Sequence, residues 1–158
     1  DSNQIKIRKM LLVDLPYKEK WTTEDADILI DLMNTKYSER IIKNKMLNDS
    51  STESMQDTIQ IQNVQASMAC VSLRLSVNAP VEKEALKKLV DALIGKLSSP
   101  FYLDRMVAIA AINESGCIYL DKCYKAVYEL QQDPVPQVST IAKNSIKAVN
   151  ERKKWENT

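Results

Sequence analysis

Glycine occurs only twice in these 158 residues, at Gly95 and Gly116, where average usage of roughly 7 per cent would supply several times as many. Tight β-hairpins and phosphate-cradling loops both depend on glycine for positive φ or close backbone approach, so the chain has almost no material for either. Apolar residues instead recur at steps of three and four, and no window alternates strictly over the length of a strand. An all-α chain of about seven or eight helices is the consequence.

A single domain of 158 residues and 18.0 kDa is long enough to bury a core without disulfides or metals. Lys and Arg number 22 against 21 Asp and Glu, a net charge of +1 that gives no chain-wide field toward nucleic acid or an anionic membrane. Histidine is absent, which removes the usual general base, the commonest metal ligand and the nucleophile pairs built on it. Cys70, Cys117 and Cys123 have no CxxC spacing and read as buried small hydrophobes rather than redox or metal groups. Acids close in sequence, such as Glu24 with Asp25 and Asp27 or Glu82 with Glu84, sit at helix starts, where the macrodipole favours them. No nucleophile with a base, no metal cluster and no glycine loop is found, so no enzyme activity and no cofactor are expected. No apolar run approaches the roughly 18 residues of a membrane span, and the first residues do not read as a signal peptide. A soluble intracellular protein, of cytoplasm or nucleus, is expected. The chain opens at Asp1 without methionine, as a segment cut from a longer polypeptide would, or a processed N-terminus.

The punctuation divides the chain helix by helix. Gln4 to Asp14 is amphipathic and stops near Pro16. Thr22 offers a cap for a helix reaching about Asn34, and Ser38 opens another closed by Asn48. The polar cluster 48–54 is the candidate flexible loop. A long helix from about Met55 to Val77 carries Ile61, Val64, Met68, Val71 and Leu75 on one stripe, and Pro80 prepares the next, Val81 to Leu97. After Pro100 comes Met106 to Ile112, apolar all round and in need of cover on two sides. Cys117 to Gln131 turns Leu120, Cys123, Tyr124, Val127 and Leu130 inward. Pro134 starts a last helix with a narrow stripe through Val138, Ile141, Ala142, Ser145 and Val149, after which the charged tail 151–158 is expected to fray. Trp21 reads as a staple for the first loop, and Trp155 as an exposed residue of that tail.

Two helix starts superimpose at a shift of 34 residues: Ser99 on Asp133, Pro100 on Pro134, Ala108 on Ala142, Ala111 on Ser145 and Ile112 on Ile146. Small residues three apart let a helix approach its neighbour closely, and a helix pair of this kind buries its faces only by stacking on copies of itself. The run Asp133-Pro134-Val135-Pro136-Gln137-Val138-Ser139-Thr140-Ile141-Ala142, continued by Ser145 and Ile146, resembles the first-helix signature of HEAT repeats: Asp-Pro, then Val-Arg, then Ala, then a small and an aliphatic residue. The resemblance covers 99–149 most clearly and extends by helix rhythm from Met55. Ser139 stands where the signature has Arg, and the earlier copy keeps Arg105 behind Asp104 rather than Val; a broken Asp-to-Arg ladder between repeats is expected. A tetratricopeptide alignment on Pro134 fails, since Ala110, Lys122 and Glu129 fall where Gly, Ala and Ala belong.

The resemblance implies a right-handed α-solenoid of stacked antiparallel helix pairs, a single HEAT-like or armadillo-like segment over 1–158, and work done by presenting a surface. A protein-binding scaffold or regulatory segment of a larger assembly is the leading expectation, with phosphate-backbone binding to nucleic acid as the alternative. Lys87, Lys88, Lys122, Lys125, Lys143 and Lys147 recur on successive outer faces and could form a basic stripe. Glu84, Asp91, Asp121 and Glu129 share those faces, so an ordinary solvated surface stays open as the other outcome. Tyr119 and Tyr128 are candidate partner anchors, or else core-edge residues.

Overall fold

A computed structural model describes residues 2–43 and 55–156, and among these there are eight α-helices and no strand. They are α1 (Ser2–Lys9), continued by a π-helical turn over Met10–Asp14, α2 (Thr23–Met33), α3 (Glu39–Lys43), α4 (Met55–Ser76), α5 (Lys83–Lys96), α6 (Tyr102–Glu114), α7 (Asp121–Glu129) and α8 (Pro136–Glu156). Two 3₁₀ turns, Cys117–Tyr119 and Leu130–Gln132, flank α7. The expected loop 48–54 lies outside the described residues. No described helix is long and apolar enough to cross a membrane.

Helix starts follow local chemistry. Thr22 and Asp25 form a capping box: the Thr22 hydroxyl accepts from the Asp25 N–H, and the Asp25 carboxylate accepts from the Thr22 N–H. The repeat is kept in detail. Phe101 N–H donates to Ser99 Oγ at 3.2 Å and Val135 N–H to Asp133 Oδ1 at 2.9 Å, the same turn 34 residues apart. The helices that follow open at Tyr102 and Pro136, also 34 apart. Both begin two residues beyond the prolines expected to open them, because those side-chain turns occupy the intervening residues. Gly116 ends α6 with φ of +81°, a left-handed conformation that L side chains rarely adopt.

α4 packs on α6 and α6 on α8, while α2 packs on both α4 and α5, α5 on α6, and α7 on α8. One continuous core results, with Leu29, Met33, Val64, Met68, Leu89, Leu93, Phe101, Ile109, Ile112 and Val127 fully buried. All three cysteines are buried and unbridged. Burial pushes the thiols of Cys70 and Cys123 up to about 11, leaving them weak nucleophiles near neutral pH.

The connections carry a second layer of order. Trp21 is fully buried, donates from its indole N–H to the Leu15 carbonyl at 2.9 Å, and closes the first loop as expected of a staple. It pairs with the α4–α5 link through Trp21 N–H to Pro80 O and Glu82 N–H to Trp21 O. The Arg74 guanidinium lies 5.1 Å from the Trp21 ring and donates to the carbonyls of Lys18, Glu19 and Pro80 at 2.6–3.0 Å. A buried cation is thus held by backbone dipoles.

Three expectations need correction. Leu120 is 46% exposed rather than inward, because it is the extended residue between the 3₁₀ turn and α7, where helical phase does not apply. Met106 to Ile112 is covered on most but not all sides, Ala110 being exposed. The apolar stripe of the last helix does end at Val149, yet the helix continues to Glu156 through the segment expected to fray, with residues 150–156 exposed. Arg152 and Lys153 lie over the rings of Tyr119 and Tyr124 at 5.5 and 4.7 Å, which ties this extension to the 3₁₀ turn before α7 and to α7 itself.

Candidate interaction surface

The lysines read as one basic stripe separate into two groups. On α5 and α7 an acid from the neighbouring helix reaches them: Lys88 Nζ lies 3.0 Å from Asp27 of α2, and Lys122 Nζ 2.8 Å from Asp91 of α5. The Asp91 contact also holds the Lys122 ammonium above its ordinary range. Acid and base alternate from helix to helix there, so these lysines are partly neutralised surface pairs. Lys87 and Lys125 are exposed on the same two helices.

On α8 the arrangement differs. Lys143 and Lys147 are exposed, one turn apart, and Lys154 continues their row two turns on. Among the described residues none of these three has an ion pair with an acid. With Gln131, Asn150 and Glu151 they line a shallow depression of about 440 Å³. Reading from sequence missed Lys154 and Asn150, because the helix was expected to end at Val149; the 4-and-7 spacing of Lys143, Lys147 and Lys154 was the available signal.

The tyrosines divide in the same way. Tyr119 is 41% exposed with the Arg152 guanidinium over its ring, so its face is already engaged. Tyr128 is 54% exposed and stacks on Tyr124 at a centroid distance of 6.1 Å. Tyr124 in turn donates to Asn150 Oδ1 at 3.0 Å, which fixes the stacked pair against α8. The structure therefore brings Tyr128, Lys143 and Lys147 to the α7–α8 side and leaves Lys87 and Lys88 on α5.

Two contacts near α6 hold buried charge. Asp104, fully buried, accepts from Tyr37 Oη at 2.8 Å and Ser99 Oγ at 3.0 Å and lies 3.4 Å from Lys96 Nζ. Burial, then the Asp104 charge, pushes the Tyr37 phenol well above its ordinary range. Next to it the Arg105 guanidinium donates to both carboxylate oxygens of Asp133 at 2.8 and 3.0 Å and to the Ser99 carbonyl at 2.9 Å. The Arg105–Asp133 pair thus forms despite the departures at Asp104 and Ser139, because both of its partners are present. Among the described residues no group of three His, Cys, Asp or Glu side chains is placed to hold a metal ion. A separate apolar groove of about 820 Å³ lies between α1 and α4, lined by Leu12, Tyr17, Ala66, Ala69 and Leu73.

No protein-family model matches the chain, and no curated protein or solved structure matches it.

Proposed function

We propose that this chain is a HEAT-like helical-repeat segment, a right-handed α-solenoid of antiparallel helix pairs, that works as a non-catalytic protein-binding scaffold or regulatory segment inside the cell. The observation that carries the repeat assignment is the pair of matching turns at Ser99 and Asp133, 34 residues apart, with the Arg105–Asp133 ion pair linking the two units. The order of neighbours supports it: α4, α6 and α8 follow one another as a first layer, with α2 and α5 paired alongside and α7 against α8. Stacked helices of this kind act through extended surfaces, and the exposed residues here include aromatic and cationic side chains suited to a protein interface.

Capture from nuclease-treated cell extract, with the chain as bait, tests the scaffold reading. Recovery of a protein partner in stoichiometric amount is expected; recovery of nothing above an unrelated helical bait overturns it. The lysines of α8 without acid partners favour one second reading, binding along a phosphate backbone. Retention on heparin that falls steeply between about 50 and 200 mM salt, with loss of capture on nuclease treatment, would move the assignment there.

A further inference from the structure

We propose that the outer face of α8 is the seat of an acidic helix supplied by a partner protein, with carboxylates aligned on Lys143, Lys147 and Lys154; this rests on the scaffold reading and names the partner's chemistry.

The direction of that face follows from the repeat. On α6, Arg105 reaches Asp133 and the Asn113 amide donates to the Ser145 hydroxyl, so the side of α6 bearing 105 and 113 is the side that receives α8. A shift of 34 carries those positions to Ser139 and Lys147 on α8. Ser139 and Lys147 therefore mark the side of α8 on which a further helix would lie, and Lys143 sits one turn before Lys147 on that side. The equivalent of Lys143 on α6 is Ile109, fully buried.

What could lie there is set by charge. An apolar helix packed on α8 as α8 packs on α6 would cover ammonium groups at 143 and 147 with no counter-ion, a strongly unfavourable arrangement. A helix carrying carboxylates at the same 4-and-7 spacing converts that penalty into complementary pairs along about 16 Å of helix. Tyr128 stacks on Tyr124, which donates to Asn150 of the same depression, and so offers a rigid aromatic group on the α7 side of it. A nucleic-acid strand fits less well: Glu151 interrupts the row, the chain as a whole carries only +1, and three lysines make a short track for phosphates.

The probe is a fluorescein-labelled alanine–glutamine helical peptide with Glu at i, i+4, i+7 and i+11, measured by anisotropy against the whole chain at low salt. Controls are a peptide of the same composition in scrambled order and a 20-base-pair DNA duplex. Saturable binding of the patterned peptide is expected, weakened at least about tenfold both by scrambling and by Lys143→Glu with Lys147→Glu, at unchanged melting temperature. Equal binding of the scrambled peptide, indifference to the double reversal, absence of binding, or tighter binding of the duplex would each overturn the proposal. So would salt-sensitive self-association in sedimentation, lost in the double reversal, which would assign the face to a second copy of this chain. These failures leave the scaffold reading to its own test, since capture of a protein from extract that survives the double reversal refutes this seat while upholding the scaffold.

Discussion

Helices α6 and α8 start in the same register, place a fully buried alanine at the same point, Ala108 and Ala142, and follow it with small and aliphatic residues at 111 and 112 or 145 and 146. Their surroundings nevertheless differ. α6 is packed by α4, α5 and α8, and its core includes the buried Asp104 with three polar neighbours. α8 packs on α6, α7 and the 3₁₀ turn Leu130–Gln132 that follows α7, and it presents lysines where α6 has Ile109 and Asn113. The shared signature thus determines how a helix seats on its predecessor. The residues on the opposite side determine what it receives next.

The sharpest way to break that comparison is to give α6 the residue α8 has. Asp104→Val, copying Val138, leaves Lys96 buried without its carboxylate and strands the Tyr37 and Ser99 hydroxyls; a loss of about 3 to 5 kcal/mol is expected in urea unfolding. A loss below about 1 kcal/mol would mean that Lys96 reaches water and that the buried network is incidental. Arg105→Ala should follow at about 2 kcal/mol, because it uncouples α6 from the turn that leads into α8 and leaves Asp133 with an unpaired, largely buried carboxylate. Arg105→Lys should recover little of this, since an ammonium cannot make the two parallel bonds that a guanidinium makes.

Overpacking tests the shared half of the signature. Ala108→Leu and Ala142→Leu should each destabilise by about 1 to 3 kcal/mol, and by similar amounts, if both alanines mark the same close approach. An unchanged melting temperature at either site would show that the two helices are not equivalent. The smallest effect belongs to the half that differs: Lys143→Glu with Lys147→Glu should alter stability by no more than about 0.5 kcal/mol per site. A loss of several kcal/mol would place both lysines against a neighbour within the chain itself.

Much of this was legible in the order of residues because it is local. Scarce glycine, apolar recurrence at three and four, the Thr22 cap, the prolines and the 34-residue shift each act within a few turns of helix, where backbone sterics and hydrogen bonding decide the outcome. The buried positions of Ala108, Ala142, Cys70 and Cys123 followed for the same reason, as one face of each helix must leave water. What only the tertiary structure decided depends on residues far apart in the chain. Lys88 and Lys122 looked like members of a basic stripe until Asp27 and Asp91, 61 and 31 residues away, were seen to meet them. Asp104 looked like a defect in the repeat until Tyr37, Ser99 and Lys96 were seen around it. The extension of α8 past Val149 is held by cation–π contacts to α7 and to the 3₁₀ turn before it, which no helical period encodes. Periodicity tells which side of a helix is buried, whereas the partner of a charge is set by which helices the fold brings alongside.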